Sequence, residues 1–257
     1  MQSLFDQSNY ECKVEWGKRG ARDAAKRGDI TIIVDVLSFS STVVTAVNQN
    51  AIIYPYPPNL DGKAYAKSIG ADYILGRNEA AVLGKATLSP VSFNESHTNN
   101  KFVLCSLNGA FCTWLASKVP SLIIGSFLNM SSVVSYANQL KRKFNANITV
   151  IPCGEVWNDS RENEDLMRPA IEDYLGAGAI LAELEGTKSP EAEVCIGAFV
   201  HSKHKIKDLI WECGSGRELR VKGFEEDVRH CSQMNRYNVV PVLKNDCFVD
   251  ALKREKG

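Results

Sequence analysis

Charge is distributed very unevenly along this chain, and that restricts what it can fold into. Residues 36–140 carry only ten charged side chains, and the stretches 36–60, 102–117 and 119–140 carry none. Segments this poor in charge must lie in a core. The last is long enough to span a bilayer, but Ser121, Ser126, Asn129, Ser131, Ser132, Ser135, Asn138 and Gln139 make it too polar for a spanning helix. Buried strands joined to packed helices fit better. Every residue of the run Ile30–Val36 (ITIIVDV) except Asp35 is β-branched and most are apolar, as a strand covered on both faces requires.

The remaining periodicity predicts alternating strands and helices. Strands are expected at Ala51–Tyr54 (closed by Pro55), Tyr73–Leu75, Lys101–Cys105, Leu122–Ile124 and Ile148–Pro152. Helices are expected from Ser40-Ser41 to about Asn48, over Gly62–Ser68 and Ala110–Ser117, and from Ser131 to about Lys143. A long helix is expected from near Leu166 to about Leu184, then mostly helix to Met234 and two short strands at Val239–Leu243 and Cys247–Val249. The class is α/β with mainly parallel strands.

Shifting the chain by 91 residues aligns TIIVDVLSFSSTVVTAV with LIIGSFLNMSSVVSYAN, with seven identities in seventeen positions. Two similar strand–turn–helix units can arise from α/β composition alone. The sharper reading is an internal duplication that brings two equivalent strand ends near a pseudo-dyad.

Formal net charge is zero, with 30 Lys and Arg against 30 Asp and Glu. That argues against a nucleic-acid or membrane-surface partner. The basic clusters Lys18-Arg19 and Lys141–Lys143 are expected to be solvated helix ends or loops. Eight cysteines without a C-x-x-C pair, behind a polar N-terminus with no apolar signal region, read as reduced thiols in a cytoplasmic protein.

Ligands of open α/β sheets bind beyond the carboxyl ends of strands. Asp35 falls there, before Ser38, Ser40, Ser41 and Thr42, so it is either a structural cap or part of a site for a phosphate and a hard cation. Asn108-Gly109 follows another strand and offers exposed N–H groups or simply a turn. Glu155 follows a third. Glu172 and Asp173 share the long helix with Arg168, and adjacent positions point ~100° apart, so one of the two acids is expected to face away from a common site. Asn129 and Ser131 stand at the corresponding positions of the second repeat unit. The Asp-x-Asp, Cys-x₅-Arg, Walker A, G-x-S-x-G and H-E-x-x-H signatures of other hydrolases and nucleotide binders do not occur.

Val34–Thr42 (VDVLSFSST), Cys153–Trp157 (CGEVW) and Leu166–Ile180 (LMRPAIEDYLGAGAI) resemble the motifs of the 2-phosphosulfolactate phosphatases. So do Ser215–Leu219, Gly223–Val228 and Val239–Leu243, and the resemblance spans roughly 30–245 in collinear order.

The resemblance implies a three-layer α/β/α fold with two similar intertwined halves, approximately 28–118 and 119–250, within one compact unit. It also implies a Mg²⁺-dependent phosphatase of the coenzyme M biosynthesis type, acting on the phosphate monoester of a small 2-hydroxy acid. On that basis Asp35, Glu155 and Glu172 are the catalytic candidates, and Mg²⁺ is expected on Asp35 with Glu155, Glu172 or Asp173. Substrate is expected on Ser38, Ser40, Ser41, Thr42, Asn108, Gly109, Asn129 and Ser131, with Arg77 or Arg168 on its acidic group. Attack by water is favoured over a phosphoenzyme on Asp35. Val156, Thr87–Pro90 and Ala110 depart from the family pattern at ligand-binding positions. The alternative is therefore a binder, or a hydrolase of another small anionic metabolite, on the same scaffold. A homo-oligomer is the default expectation.

Overall fold

The computed structural model describes residues 5–74 and 86–253. Four parallel strands form the first block of the sheet: β1 (Cys12–Val14), β7 (Ile148–Pro152), β2 (Ile30–Val34) and β6 (Leu122–Ile124), adjacent in that order. Every residue in them is buried, which explains their largely apolar sequences, Lys13 of β1 apart. β3 (Ile52–Tyr56), β5 (Lys101–Cys105) and β4 (Asp72–Tyr73) form a second parallel block. Between the blocks sits the antiparallel hairpin of β10 (Pro241–Lys244) and β11 (Cys247–Asp250). It touches β6 in register only at Val242–Ile123, and β3 only at Phe248–Ile53. Three successive antiparallel pairings make the two blocks run in opposite senses.

Pro55 does not close β3; it pairs with Leu104. β11 has already left β3 at Ile53, so an absent N–H is tolerated there.

Helices cover both faces, as the sequence predicted. Successive strand residues point to opposite sides. Ile33, Ile124 and Ile151 meet α1 (Gly17–Arg27), α2 (Phe39–Asn48) and α4 (Gly109–Leu115) through Ala21, Ala24, Val43, Val44 and Cys112. Ile32, Ile123 and Val150 face α5 (Met130–Phe144), α6 (Ile171–Leu181) and α7 (Pro190–Ser202) through Val133, Ala137, Ala179 and Cys195. A short α3 (Gly62–Ile69) flanks the second block, and α8 (Ile206–Glu212), α9 (Gly214–Val221) and α10 (Glu225–Cys231) complete the helical side. Among the described residues no helix is long and apolar enough to cross a membrane.

The 91-residue shift is visible in the sheet itself: Ile32 pairs with Ile123 and Ile33 with Ile124. The helices that follow these strands lie on opposite faces, α2 on one and α5 on the other.

The expected long helix is broken. β8 (Glu155–Val156) and β9 (Met167–Arg168) make a hairpin, and α6 starts only at Ile171. Pro169 is the cause, because the residue before a proline is pushed into extended backbone. β1 and α1 were not expected from sequence. β1 carries a wholly buried Lys13, which pairs with Asp29; Arg27 and Thr149 bond the same carboxylate.

Candidate active site

The site is built where β2, β5 and β7 end. Asp35 leaves β2 with its carboxylate turned back into the protein. Oδ1 accepts from the Phe39 N–H at 3.1 Å and Oδ2 from the Gly109 N–H at 2.9 Å. One carboxylate thus ties together the starts of α2 and α4. A side chain at position 109 would close this joint. A Cβ there would lie 2.3 Å from the Phe39 ring and 2.8 Å from Asp35 Oδ2, so glycine is required.

The hydroxyls after Asp35 do not face a ligand. Ser40 Oγ accepts the Asp35 N–H and donates to the Ile33 carbonyl, Ser41 Oγ donates to the Val36 carbonyl, and Thr42 Oγ1 to the Leu88 carbonyl. All three residues are fully buried, and Ser38 nearly so, following a cis peptide bond. The run of hydroxyls shapes the loop because a turn packed this deeply must satisfy its polar groups internally. The N–H groups of Phe39 and Gly109 serve Asp35, so the Gly109 N–H that the Asn-Gly turn offered to phosphate is taken.

Glu172 and Asp173 are both buried, at 1% and 3% exposure, so neither faces solvent. The expected divergence fails because α6 is sunk between the sheet and α7. A Cβ on Gly176 would lie 3.0 Å from Val36, and one on Gly178 would lie 2.4 Å from the Cys195 carbonyl. Asp173 spans two loops, accepting the Val36 N–H at 2.7 Å and the Gly154 N–H at 2.9 Å. Burial and the charges of Asp35 and Glu172 raise its proton affinity, against the pull of the Val36 N–H. Glu172 Oε2 is buried without a hydrogen-bond partner. Its charge adds to the burial that pushes the neighbouring Cys213 thiol up to about 12.

Glu155 stands on β8, partly exposed, with Oε2 accepting from Asn108 Nδ2 at 2.8 Å. Burial, then the charges of Asp35 and Glu172, push it up to about 7; the Asn108 amide and Arg168 pull the other way. Arg168 faces it across the hairpin, lies over the Trp157 ring and donates to Ser215 Oγ at 3.1 Å. Asp35, Glu155, Glu172 and Asp173 therefore act on one another across three loops and a helix.

The second repeat contributes nothing comparable. Asn129 is fully buried; its amide donates to the Ile124 and Val239 carbonyls and its oxygen accepts the Ser126 N–H. Ser131 is exposed on α5, its N–H bonded to Asn235. Arg77 lies outside the described residues.

A cleft of about 1330 Å³ opens from Glu155, Asn108 and Cys153 along α1. Trp16, stacked on Tyr174, forms part of its wall, as do Gly17, Lys18 and Arg22. The Lys18-Arg19 pair is exposed at the start of α1, the solvated helix end that was expected, and it also borders this cavity. One sequence signal could have shown this: the first turn of α1 carries two cations and no acid, opposite to the helix-dipole preference.

Acids gathered where strands end, beside an open cleft, give an α/β fold with a candidate enzyme site for a small ligand. The particular family follows from sequence comparison. The model of the 2-phosphosulpholactate phosphatase family matches residues 19–246, and the chain belongs to that family. Membership makes it a phosphoric monoester hydrolase. A probable 2-phosphosulfolactate phosphatase of Thermotoga maritima is 29% identical over 224 residues, 85% of this chain and 90% of that protein. One of Pseudothermotoga lettingae is 26% identical over 230 residues, 86% and 92% of the two chains. The 2-phosphosulfolactate phosphatase of Methanothermobacter thermautotrophicus is 25% identical over 218 residues, 84% and 87%.

Proposed function

We propose that this chain removes phosphate from the hydroxyl of a small 2-hydroxy acid, with 2-phosphosulfolactate the first substrate to test, and that Glu155 protonates the departing oxygen. Family membership and the names of the relatives support the substrate. The observation that carries the mechanism is Glu155 itself, an acid with a proton affinity near neutrality, held by Asn108 at the mouth of the cleft. An alkoxide is a poor leaving group, and a general acid works best when its pKa is near the working pH. Asn108 fixes which oxygen of Glu155 carries the proton. Asp35 and Asp173 serve as the frame, since both oxygens of each accept backbone N–H bonds from the surrounding loops.

Mg²⁺ suits this set of donors. The unpartnered, buried Oε2 of Glu172, and the burial and the Asp35 and Glu172 charges that raise Glu155, favour a cation in this site. Among the described residues no three acidic, His or Cys side chains are grouped to hold a metal by themselves. Mg²⁺ needs only one or two carboxylates beside water and substrate phosphate. Glu172 would hold it; Asp35 and Asp173 suit the role less well, each having both oxygens engaged by backbone N–H groups, and Glu155 must keep its proton to act as the acid. When bound, the cation neutralises charge on the phosphate oxygens and polarises phosphorus.

The test is phosphate release from 2-phosphosulfolactate with Mg²⁺ and with EDTA, followed by Glu155→Gln. The variant should lose roughly 10²–10⁴-fold in turnover of the alkyl ester. It should lose far less with p-nitrophenyl phosphate, whose leaving group needs no proton. Equal losses on both esters overturn the general-acid role. No phosphate release by the wild type overturns the substrate.

A further inference from the structure

We propose that the cationic face of α1 is the specificity wall of this site, and that it selects phosphate monoesters whose alcohol carries further anionic groups. The inference deepens the phosphatase reading and rests on it. Lys18, Arg22 and Lys26 recur at intervals of four on α1, so they form one stripe along a single face of the helix, and all three line the cleft that opens at Glu155. Like charges at this spacing repel, and Lys18 in the first turn opposes the helix dipole, whereas Lys26 in the last turn suits it. Lys18 therefore works against the helix that carries it.

Acidic partners do not neutralise it. Asp23 is the one acid in α1, and Arg19, Arg22 and Lys26 all converge on it, at 3.7, 3.2 and 3.5 Å. Arg27 is taken up by Glu15 and Asp29. Among the described residues Lys18 has no ion pair and lies over the Phe111 ring at 4.7 Å. The helix thus presents an excess of positive charge to the cleft, in a chain whose net charge is zero. Glu155 lines the same cleft from β8, and Asp6, Glu15 and Asp165 are the other acids on its wall besides Asp23. A ligand that meets both Glu155 and α1 has its phosphoryl group beside the carboxylate that would hold a cation, and its free acid groups against α1. Carboxylate and sulfonate both fit Lys and Arg donors. The cleft is far larger than a lone phosphate requires.

The test is a ladder of esters: p-nitrophenyl phosphate with no free acid, 2-phosphoglycolate with one, and 2-phosphosulfolactate with two. The Lys18→Met/Arg22→Met double variant should raise KM for 2-phosphosulfolactate roughly 10-fold or more, the loss expected for a charge-assisted bond. The rise should shrink down the ladder, with kcat for 2-phosphosulfolactate largely kept. Lys18→Arg should restore most of the affinity when placed in the Arg22→Met background. Added salt should weaken the wild type more than the double variant. Calorimetric binding of 3-sulfolactate is measured in parallel. If the wild type releases no phosphate from any ester, yet the double variant binds 3-sulfolactate more weakly, the phosphatase reading fails and the wall stands. If the KM rise is equal on all three esters, or absent, the wall is overturned while the phosphatase reading stands.

Discussion

Glu155 should make the fold less stable as pH rises, and Glu155→Gln should remove that cost. An ordinary glutamate titrates at 4.5, and here burial and the Asp35 and Glu172 charges hold Glu155 at about 7. Between those values the folded protein binds more protons than the unfolded chain. The contribution of this group is thus fully present below pH 4.5 and is lost as pH climbs through 7. The shift of about 2.5 units is worth about 3 kcal/mol, at roughly 1.4 kcal/mol per unit. Glutamine keeps the acceptor for Asn108 and cannot ionise. In EDTA the variant should be about 3 kcal/mol more stable than the wild type at pH 8 and less than about 1 kcal/mol more stable at pH 5. Urea unfolding at the two pH values, followed by tryptophan fluorescence, measures this difference. Added Mg²⁺ should stabilise the wild type at pH 8 more than the variant, because it supplies the missing counter-charge. A variant no more stable than wild type at pH 8, or one that gains equally at both pH values, refutes the reasoning. A gain in stability with a loss of turnover would mark Glu155 as a group kept for chemistry at the expense of the fold.

Two other outcomes follow from the geometry. Gly109→Ala puts a methyl group 2.3 Å from the Phe39 ring, so chemical denaturation should show a loss of about 1–3 kcal/mol and phosphate release should fall with it. His230 is buried against Thr45, whose hydroxyl donates to the Ser41 carbonyl, so His230 Nε2 is the donor to Thr45 at 3.0 Å. Burial and Arg236 push His230 down to about 4 from 6.5. The unfolded chain binds the extra proton in that window, so its contribution is present above 6.5 and is lost as pH falls through 4. His230→Leu should flatten the stability profile between pH 6.5 and 4, read by thermal unfolding.

The sequence made the order of strands and helices readable because a doubly covered strand leaves a distinctive run, as at Ile30–Val34. It also nominated all four acids. It could not show what each acid touches. Asp35 is defined by Gly109 and Asp173 by Val36, partners 74 and 137 residues away. Nothing local distinguishes a serine that binds phosphate from one that closes its own loop, and Ser40 and Ser41 are the second kind. The same holds for Asn129, whose polar atoms are all used within the fold. Helical spacing predicted that Glu172 and Asp173 diverge, which is true of the helix alone. It said nothing of α6 being enclosed on both sides, and small residues at Gly176 and Gly178 were the local sign that it would be. α1 was missed because its inner face is glycine and alanine, which carry little hydrophobic signal.

The zero net charge concealed the arrangement that matters. Where acids and cations are interleaved on this molecule they consume one another, as Asp29 does with Lys13 and Arg27, whereas Asp23 offsets only part of the charge of its three neighbours. The groups left with unmet electrostatic demand are the segregated ones: Glu155 and Glu172 among other acids, and Lys18 over an aromatic ring. Segregation has a physical cost, visible in the raised proton affinity of Glu155 and in a helix that begins with cations. A phosphate ester with a free acid group and a divalent cation would relieve both ends at once. The stability experiment on Glu155 and the ester ladder on Lys18 and Arg22 therefore probe opposite ends of one charge separation, and each can fail without the other.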